Sequence, residues 1–196
     1  MEVGAEYNKS KLHGKKYFHE LLRSLDYVPP SILGLLQMTR SNLMSFTKMQ
    51  KTLIRALRTD PQISQRVDLL MSIQGVGEVT ALTWVLEIGD VHRFKRISKA
   101  ISYCGLCSAQ KQSGGKNYRG PISKKRNKHI QSVLIEAAKL APRWNSQLAE
   151  VYERELTRGH TNRATLAVAR KLVAYMLAVD KSGKPFTSRE NLQKAV

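Results

Sequence analysis

Hydrophobic positions fall into helical registers along almost the whole chain. Tyr17, Phe18, Leu21, Leu22 and Leu25 recur at helical spacing and predict a first helix over Tyr7 to Leu25. Pro29-Pro30 ends it, and Ser31 is placed to cap a long successor. In that successor Ile32, Leu35, Leu36, Leu43, Phe46, Met49, Leu53, Ile54 and Leu57 form a stripe with a period of roughly 3.5 residues, polar residues standing opposite. Such a stripe predicts a coiled-coil arm or an antiparallel hairpin with the first helix. Asp60-Pro61 stops it, because the residue before a proline is pushed out of the helical region.

Beyond Gln62 the pattern becomes globular. A helix through Val67, Leu69, Leu70 and Met71 meets the turn Ile73-Gln74-Gly75-Val76-Gly77, and a second runs through Val79, Leu82, Val85 and Leu86. Glycines then cluster between Gly105 and Gly120, where extended segments fit. Helices resume over Asn127 to Leu140, Ser146 to Thr157 and Asn162 to Val179, the last with Leu166, Ala169, Leu172, Val173, Met176 and Leu177 facing inward. The chain is read as mainly α. A coiled-coil-like arm over 1–60 precedes an α domain over 61–186, followed by a tail over 187–196. The domain holds a helix-hairpin-helix at 67–88 and a basic, glycine-rich serine loop at 105–125.

Composition narrows the functional classes. The chain has 196 residues of which 42% are apolar, enough for a real core. No apolar run approaches the roughly 18 residues of a membrane span, and the amino terminus has no signal-peptide pattern. Two cysteines make no disulfide framework and suit a reducing, cytoplasmic interior. Against 15 acids stand 33 Lys and Arg, a net charge of +18 that favours a polyanion, nucleic acid above all. Over Val91 to Ile130 there are eleven Lys or Arg and no Asp or Glu. A one-signed stretch of this kind is either a solvated basic loop or a phosphate-binding surface with steep salt dependence. The acids lie scattered outside it, so no metal centre is expected.

Two motifs carry candidate chemistry. In the first, Gly75, Val76 and Gly77 join two helices. If both glycines adopt positive φ, consecutive N–H groups at the start of the second helix can hold a phosphate. A plain helix corner without ligand is the alternative. Ala81 is small enough for close helix approach, and Trp84 and Leu86 are read as core. The turn is no dinucleotide fingerprint, since the third glycine position holds Thr80. The second motif is Gln112-Ser113-Gly114-Gly115-Lys116. It is no P-loop, because Gln110 stands at the first glycine position and Asn117 follows the lysine. It offers a hydroxyl on a flexible backbone among Lys111, Lys116, Arg119 and Lys124, with Lys125, Arg126 and Lys128 beyond. Cations there could stabilise charge on a phosphodiester under attack by Ser113. A capping or phosphate-contacting serine is the alternative, since His92, His129 and Glu136 could serve as bases only if the fold brings them close. Cys104-Gly105-Leu106-Cys107 lacks two further zinc ligands and is read as buried small hydrophobes. His13, His19 and His160 are read as surface residues.

The order of motifs resembles the carboxy-terminal half of the IS-one-ten family of insertion-sequence transposases. Leu70-Met71-Ser72-Ile73-Gln74-Gly75-Val76-Gly77 opens the run, then Phe94, Ala100 and Tyr103-Cys104-Gly105-Leu106. Gln112-Ser113-Gly114-Gly115-Lys116 follows, then Gly120-Pro121-Ile122-Ser123-Lys124 with Asn127, and finally Ala167-Val168-Ala169-Arg170-Lys171-Leu172. The resemblance spans roughly Leu69 to Phe186, and the helical arm is similar to the family's coiled-coil linker. It implies a DNA recombinase guided by a structured RNA, with Ser113 as nucleophile on the DNA backbone. DNA, a guide RNA and a homo-oligomer formed through the arm are the implied partners, in a prokaryotic, nucleoid-associated setting without a membrane. The family's RuvC-like half, whose acids bind magnesium, has no counterpart here, and no cofactor is assigned to this chain. The implied protein is truncated and inactive alone. Arg126 also stands where the family pattern has a glycine. A non-catalytic helix-hairpin-helix module, or a regulator of a full-length transposase, is the competing reading. A basic structural RNA-binding protein is the third.

Overall fold

The structure, a computed structural model, describes residues 6–122 and 126–188. Among these residues it is mainly helical, with eight α-helices and one two-stranded β-hairpin. The chain divides after Leu53 into two compact units.

The first unit begins with a short 3-10 turn, Lys9–Lys11, followed by α1 (Lys15–Arg23) and most of α2 (Pro30–Leu57). The single helix expected over Tyr7 to Leu25 is therefore shorter. The Asn8 side chain accepts from the Ser10 N–H and closes the 3-10 turn, and Gly14 stands at the N-cap of α1. Both residue types favour caps and turns over helix interiors. The successor helix starts one residue before Ser31, at Pro30, whose missing N–H costs nothing in a first turn. Arg40 ties α2 to the entry of α1. Its Nη1 donates to His13 O at 2.8 Å and its guanidinium lies 5.3 Å from the Phe18 ring centroid.

The second unit contains the core. Asp60, expected as a stop, also begins the next helix: its side chain accepts from the Gln62 and Ile63 N–H groups and caps α3 (Pro61–Met71). Next come α4 (Glu78–Ile88) and α5 (Ile97–Tyr103), then β1 (Ser108–Ser113) and β2 (Lys116–Ile122). Asn127 caps α6 (Lys128–Leu140), Asn145 caps α7 (Ser146–Leu156), and α8 (Thr161–Ser182) ends where Gly183 turns left-handed. Helix α5 is a finding, since the sequence reading leaves its residues in the basic stretch.

Helix α8 runs through the core, burying Val168, Ala169, Leu172, Val173, Met176 and Leu177 against the remaining helices. Trp84 is buried as expected, but Leu86 is half-exposed: α4 points it away from the core that Val85 and Ile88 enter. The Asp180 carboxylate, nearly without solvent contact, accepts from Arg66 Nε (2.8 Å), Arg66 Nη2 (2.7 Å) and Trp84 Nε1 (2.9 Å). That contact raises the Arg66 guanidinium above its ordinary value, against the opposing effect of its burial. One buried acid thus joins α3, α4 and α8, with three donors on its two oxygens to offset the burial of its charge. No helix of the described residues is long and apolar enough to cross a membrane.

Candidate nucleic-acid interface

The serine motif forms the tip of a β-hairpin. Ser113 pairs with Lys116 across a two-residue loop, and Gly114 and Gly115 both have positive φ (56° and 76°). Two positive φ values are the requirement of a type I′ turn, whose twist matches that of the flanking strands. The two glycines are thus needed by the hairpin itself. Ser113 and Lys116 are both exposed and directly opposite, so their side chains share a strand face with Tyr118. Lys111 pairs with Tyr118 and Arg119 with Gln110. The side chains of Lys111 and Arg119, and all of Lys124 and Lys125, lie outside the described residues.

The hairpin's root is fixed from three sides. Arg170 on α8 donates from Nε to Leu106 O at 2.8 Å, and Gln131 on α6 donates from Nε2 to Gly105 O at 2.6 Å. Asn127 donates from Nδ2 to the Glu87 carboxylate on α4 while its Oδ1 caps α6. Gly105 is left-handed (φ 68°), and a Cβ there would collide with the Cβ of Arg126. Arg126, the departure from the family pattern, therefore lies over a glycine that makes room for it. These anchors are 26 to 64 residues from their partners along the chain, beyond the reach of any local pattern.

The cations around this root differ in their settings. Arg93 stacks on Phe94 (4.4 Å) and Tyr103 (4.5 Å) and donates to Ile88 O, so it belongs to the packing. Arg126, Lys128 and His129 are exposed at the start of α6, and no acid stands in its first turn. Cations at the positive end of a helix repel its dipole, an arrangement that an anion would relieve. Among the described residues no histidine or carboxylate hydrogen-bonds to Ser113. Glu136 instead pairs with Lys139 at 2.7 Å.

The turn between α3 and α4 departs from its expected form. Gly75 has φ 94°, but Gly77 is extended at φ −88° and ψ 168°, so only one of the two glycines uses its conformational freedom. A Cβ on Gly75 would collide with Cα and Cβ of Ala141, in the 3-10 turn Ala141–Arg143 that follows α6. Val76 is buried, leaving only its backbone to meet a ligand. Gly77 caps α4 without a side-chain acceptor, and the space around its α-carbon is open. The expected nest of N–H groups is therefore reduced to the uncapped start of α4.

The cysteine pair divides. Cys104 is buried, and burial pushes its thiol up to about 12, with Arg93 pulling it the other way, while Cys107 is half-buried. Among the described residues no three His, Cys, Asp or Glu lie together as a metal site would need.

Residues 67–153 match the model of the family described as "Transposase IS116/IS110/IS902 family". The chain is 25% identical over 164 residues to the transposase of insertion sequence IS1328 of Yersinia enterocolitica, covering 82% of this chain and 49% of that protein. It is 27% identical over 139 residues to the IS1111A transposase of Coxiella burnetii, covering 68% of this chain and 38% of the relative. A pilin gene-inverting protein of Moraxella bovis is 25% identical over 148 residues, covering 74% and 46%. The chain spans half or less of the length of the curated relatives it matches.

Proposed function

We propose, from the premise that residues 67–153 form an IS110/IS116-type transposase domain, that this chain engages DNA and carries the nucleophile of a DNA recombinase. The observation that carries the reading is the placement of Ser113: exposed, at a two-glycine hairpin tip, with Lys116 directly across from it. In the proposed step the Ser113 Oγ attacks a backbone phosphorus. An Oγ–P bond forms as one P–O ester bond breaks, the serine proton passes to a base, and the leaving oxygen departs as a hydroxyl. The exchange conserves the number of phosphoester bonds and needs no energy source. Lys116 stabilises the charge on the non-bridging oxygens, and Lys111, Arg119, Lys124 and Lys125 are further candidate cations from the sequence. Gly75, Val76 and Gly77 act as a helix-hairpin-helix turn that brings the first N–H groups of α4 to a second phosphate.

The same reading assigns a structured guide RNA as partner, a homo-oligomer built through the arm, and a nucleoid-associated place of action. Magnesium is assigned by the same reading to the family's acidic RuvC-like half. A second reading, a non-catalytic binding module or regulator, draws on one observation: no general base among the described residues contacts Ser113. A nicked suicide substrate, from which the leaving piece diffuses away, separates the two when offered together with a full-length family partner. A covalent protein–DNA adduct lost in Ser113→Ala is the expected result. Binding with no adduct overturns the catalytic reading in favour of the module.

A further inference from the structure

Burial stops where the hairpin begins. Cys104, Gly105 and Leu106 are buried, whereas no described residue from Ser108 to Lys116 is, and Ser113 stands in solvent at the tip. The two strands pair with each other alone, and among the described residues no helix packs extensively on either. Packing along the strands therefore does not set the hairpin's direction, and its root must. Seven residues lead from Leu106 to Ser113, at most about 23 Å of extended chain at roughly 3.3 Å per residue. Over that reach, a tilt of about 10° at the root swings the tip by about 4 Å. In-line attack tolerates far less, since a misplacement of about 1 Å can cost on the order of a hundredfold in rate.

Side chains hold that root. Helix α5 ends at Tyr103 and β1 begins at Ser108, so the carbonyls of Gly105 and Leu106 belong to no helix or strand ladder. Each accepts instead from a different helix: Gly105 O from Gln131 Nε2 on α6 at 2.6 Å, and Leu106 O from Arg170 Nε on α8 at 2.8 Å. Two successive carbonyls gripped from two helices constrain both the position and the rotation of the chain that enters β1. Arg170 is half-buried on the helix that runs through the core, so its donor ties the hairpin to the packed body of the domain. It also belongs to the closing motif Ala167-Val168-Ala169-Arg170-Lys171-Leu172, to which the chemistry of Ser113 gives no part. We infer that Arg170, acting with Gln131, is a positioning residue that aims the Ser113 hairpin. The inference rests on the nucleophile reading above for its consequence in rate, and on the geometry alone for its consequence in hairpin direction.

Two readouts on the full chain test this. In the first, the chain is mixed with a full-length family partner and the nicked suicide substrate, and its adduct is told from the partner's by mass. Arg170→Met keeps an unbranched side chain and removes the donor. It should slow adduct formation at saturating DNA about tenfold or more and leave DNA affinity within about twofold. Arg170→Lys, which restores a donor, should recover most of the rate, and Gln131→Met should show the same split as Arg170→Met. Circular dichroism and the unfolding midpoint of each variant separate loss of fold from loss of aim. In the second readout, nitroxides on Lys116→Cys at the tip and Lys139→Cys on α6, in a Cys107→Ser background, report the tip-to-helix distance without DNA. Arg170→Met should shift or broaden that distance by several ångströms, and Arg170→Lys should restore it. An unmoved distance in both Arg170→Met and Gln131→Met, or a loss confined to affinity, overturns the positioning role. So does a shifted distance with an undiminished adduct rate. Absence of adduct from the unsubstituted chain removes the nucleophile reading instead, and the distance then decides alone whether Arg170 aims the hairpin.

Discussion

Cys104 shows how burial alone sets a residue's chemistry. Its thiol has no solvent contact, and ionising it would place a charge in the core, so its pKa is pushed up to about 12. The unfolded chain ionises the same thiol near its ordinary value of 9.0. The stability contributed by the neutral thiol is therefore fully present below about pH 9 and is lost as pH rises toward 12. Urea unfolding at pH 8 and at about pH 10.5 should show the wild type losing roughly 2 kcal/mol more than Cys104→Ala between the two conditions. Parallel pH dependences would remove the thiol from the account. In the native state a thiol reagent should label Cys107 and spare Cys104. Arg93, which partly opposes the shift, lies against two aromatic rings, a contact that ties it to the packing around Phe94 and Tyr103.

At the scale of elements, the α3–α4 turn separates two glycines that look equivalent in sequence. Valine at Gly75 would need both a strained positive φ and space already filled by Ala141 backbone, so Gly75→Val should cost more than about 3 kcal/mol. Gly77 has an ordinary extended φ and open surroundings, and a serine there gains an N-cap hydrogen bond. Gly77→Ser should be neutral or stabilising by a few tenths of a kcal/mol. Denaturant unfolding of the two variants checks this, and comparable losses would refute the packing argument. The contrast also shows what was legible beforehand. Periodicity located α2, α4, α6, α7 and α8 to within a few residues and the second half of α3, because each repeats its apolar positions on one face. It overran α1 where Asn8 and Gly14 preferred turn geometry, and it passed over α5, whose short apolar run lies among cations. Ser113 is a candidate from its Ser-Gly-Gly-Lys motif and the family resemblance that motif carries. Arg170 and Asp180 were not assigned roles, because the partners that explain them lie 64 and 96 or more residues away.

For the molecule as a whole, charge and apolar surface pull in opposite directions, and salt can tell them apart. Helix α1 has 9 residues against 28 in α2, about 14 Å against about 42 Å of axis, so it is too short to cover the whole stripe of α2. Leu43, Met44, Phe46, Met49 and Leu53 stay 39% to 67% exposed, as a seam awaiting a second helix would be. Two copies at +18 each repel, and the apolar seam favours their association. Screening weakens that repulsion, so raising salt from about 0.05 to about 0.5 M should increase the oligomer seen by sedimentation. The same change should weaken nucleic-acid binding steeply, because each phosphate contact releases counterions. Replacing Phe46 and Met49 together by glutamate should give a single-copy mass at every salt concentration and leave the helical signal of the domain in place. A wild type that is one copy at high salt, or a double variant of undiminished mass, would exclude the arm as the oligomerising element. Opposite salt trends for association and nucleic-acid binding, measured on one preparation, would show that apolar burial drives the first and phosphate contact the second.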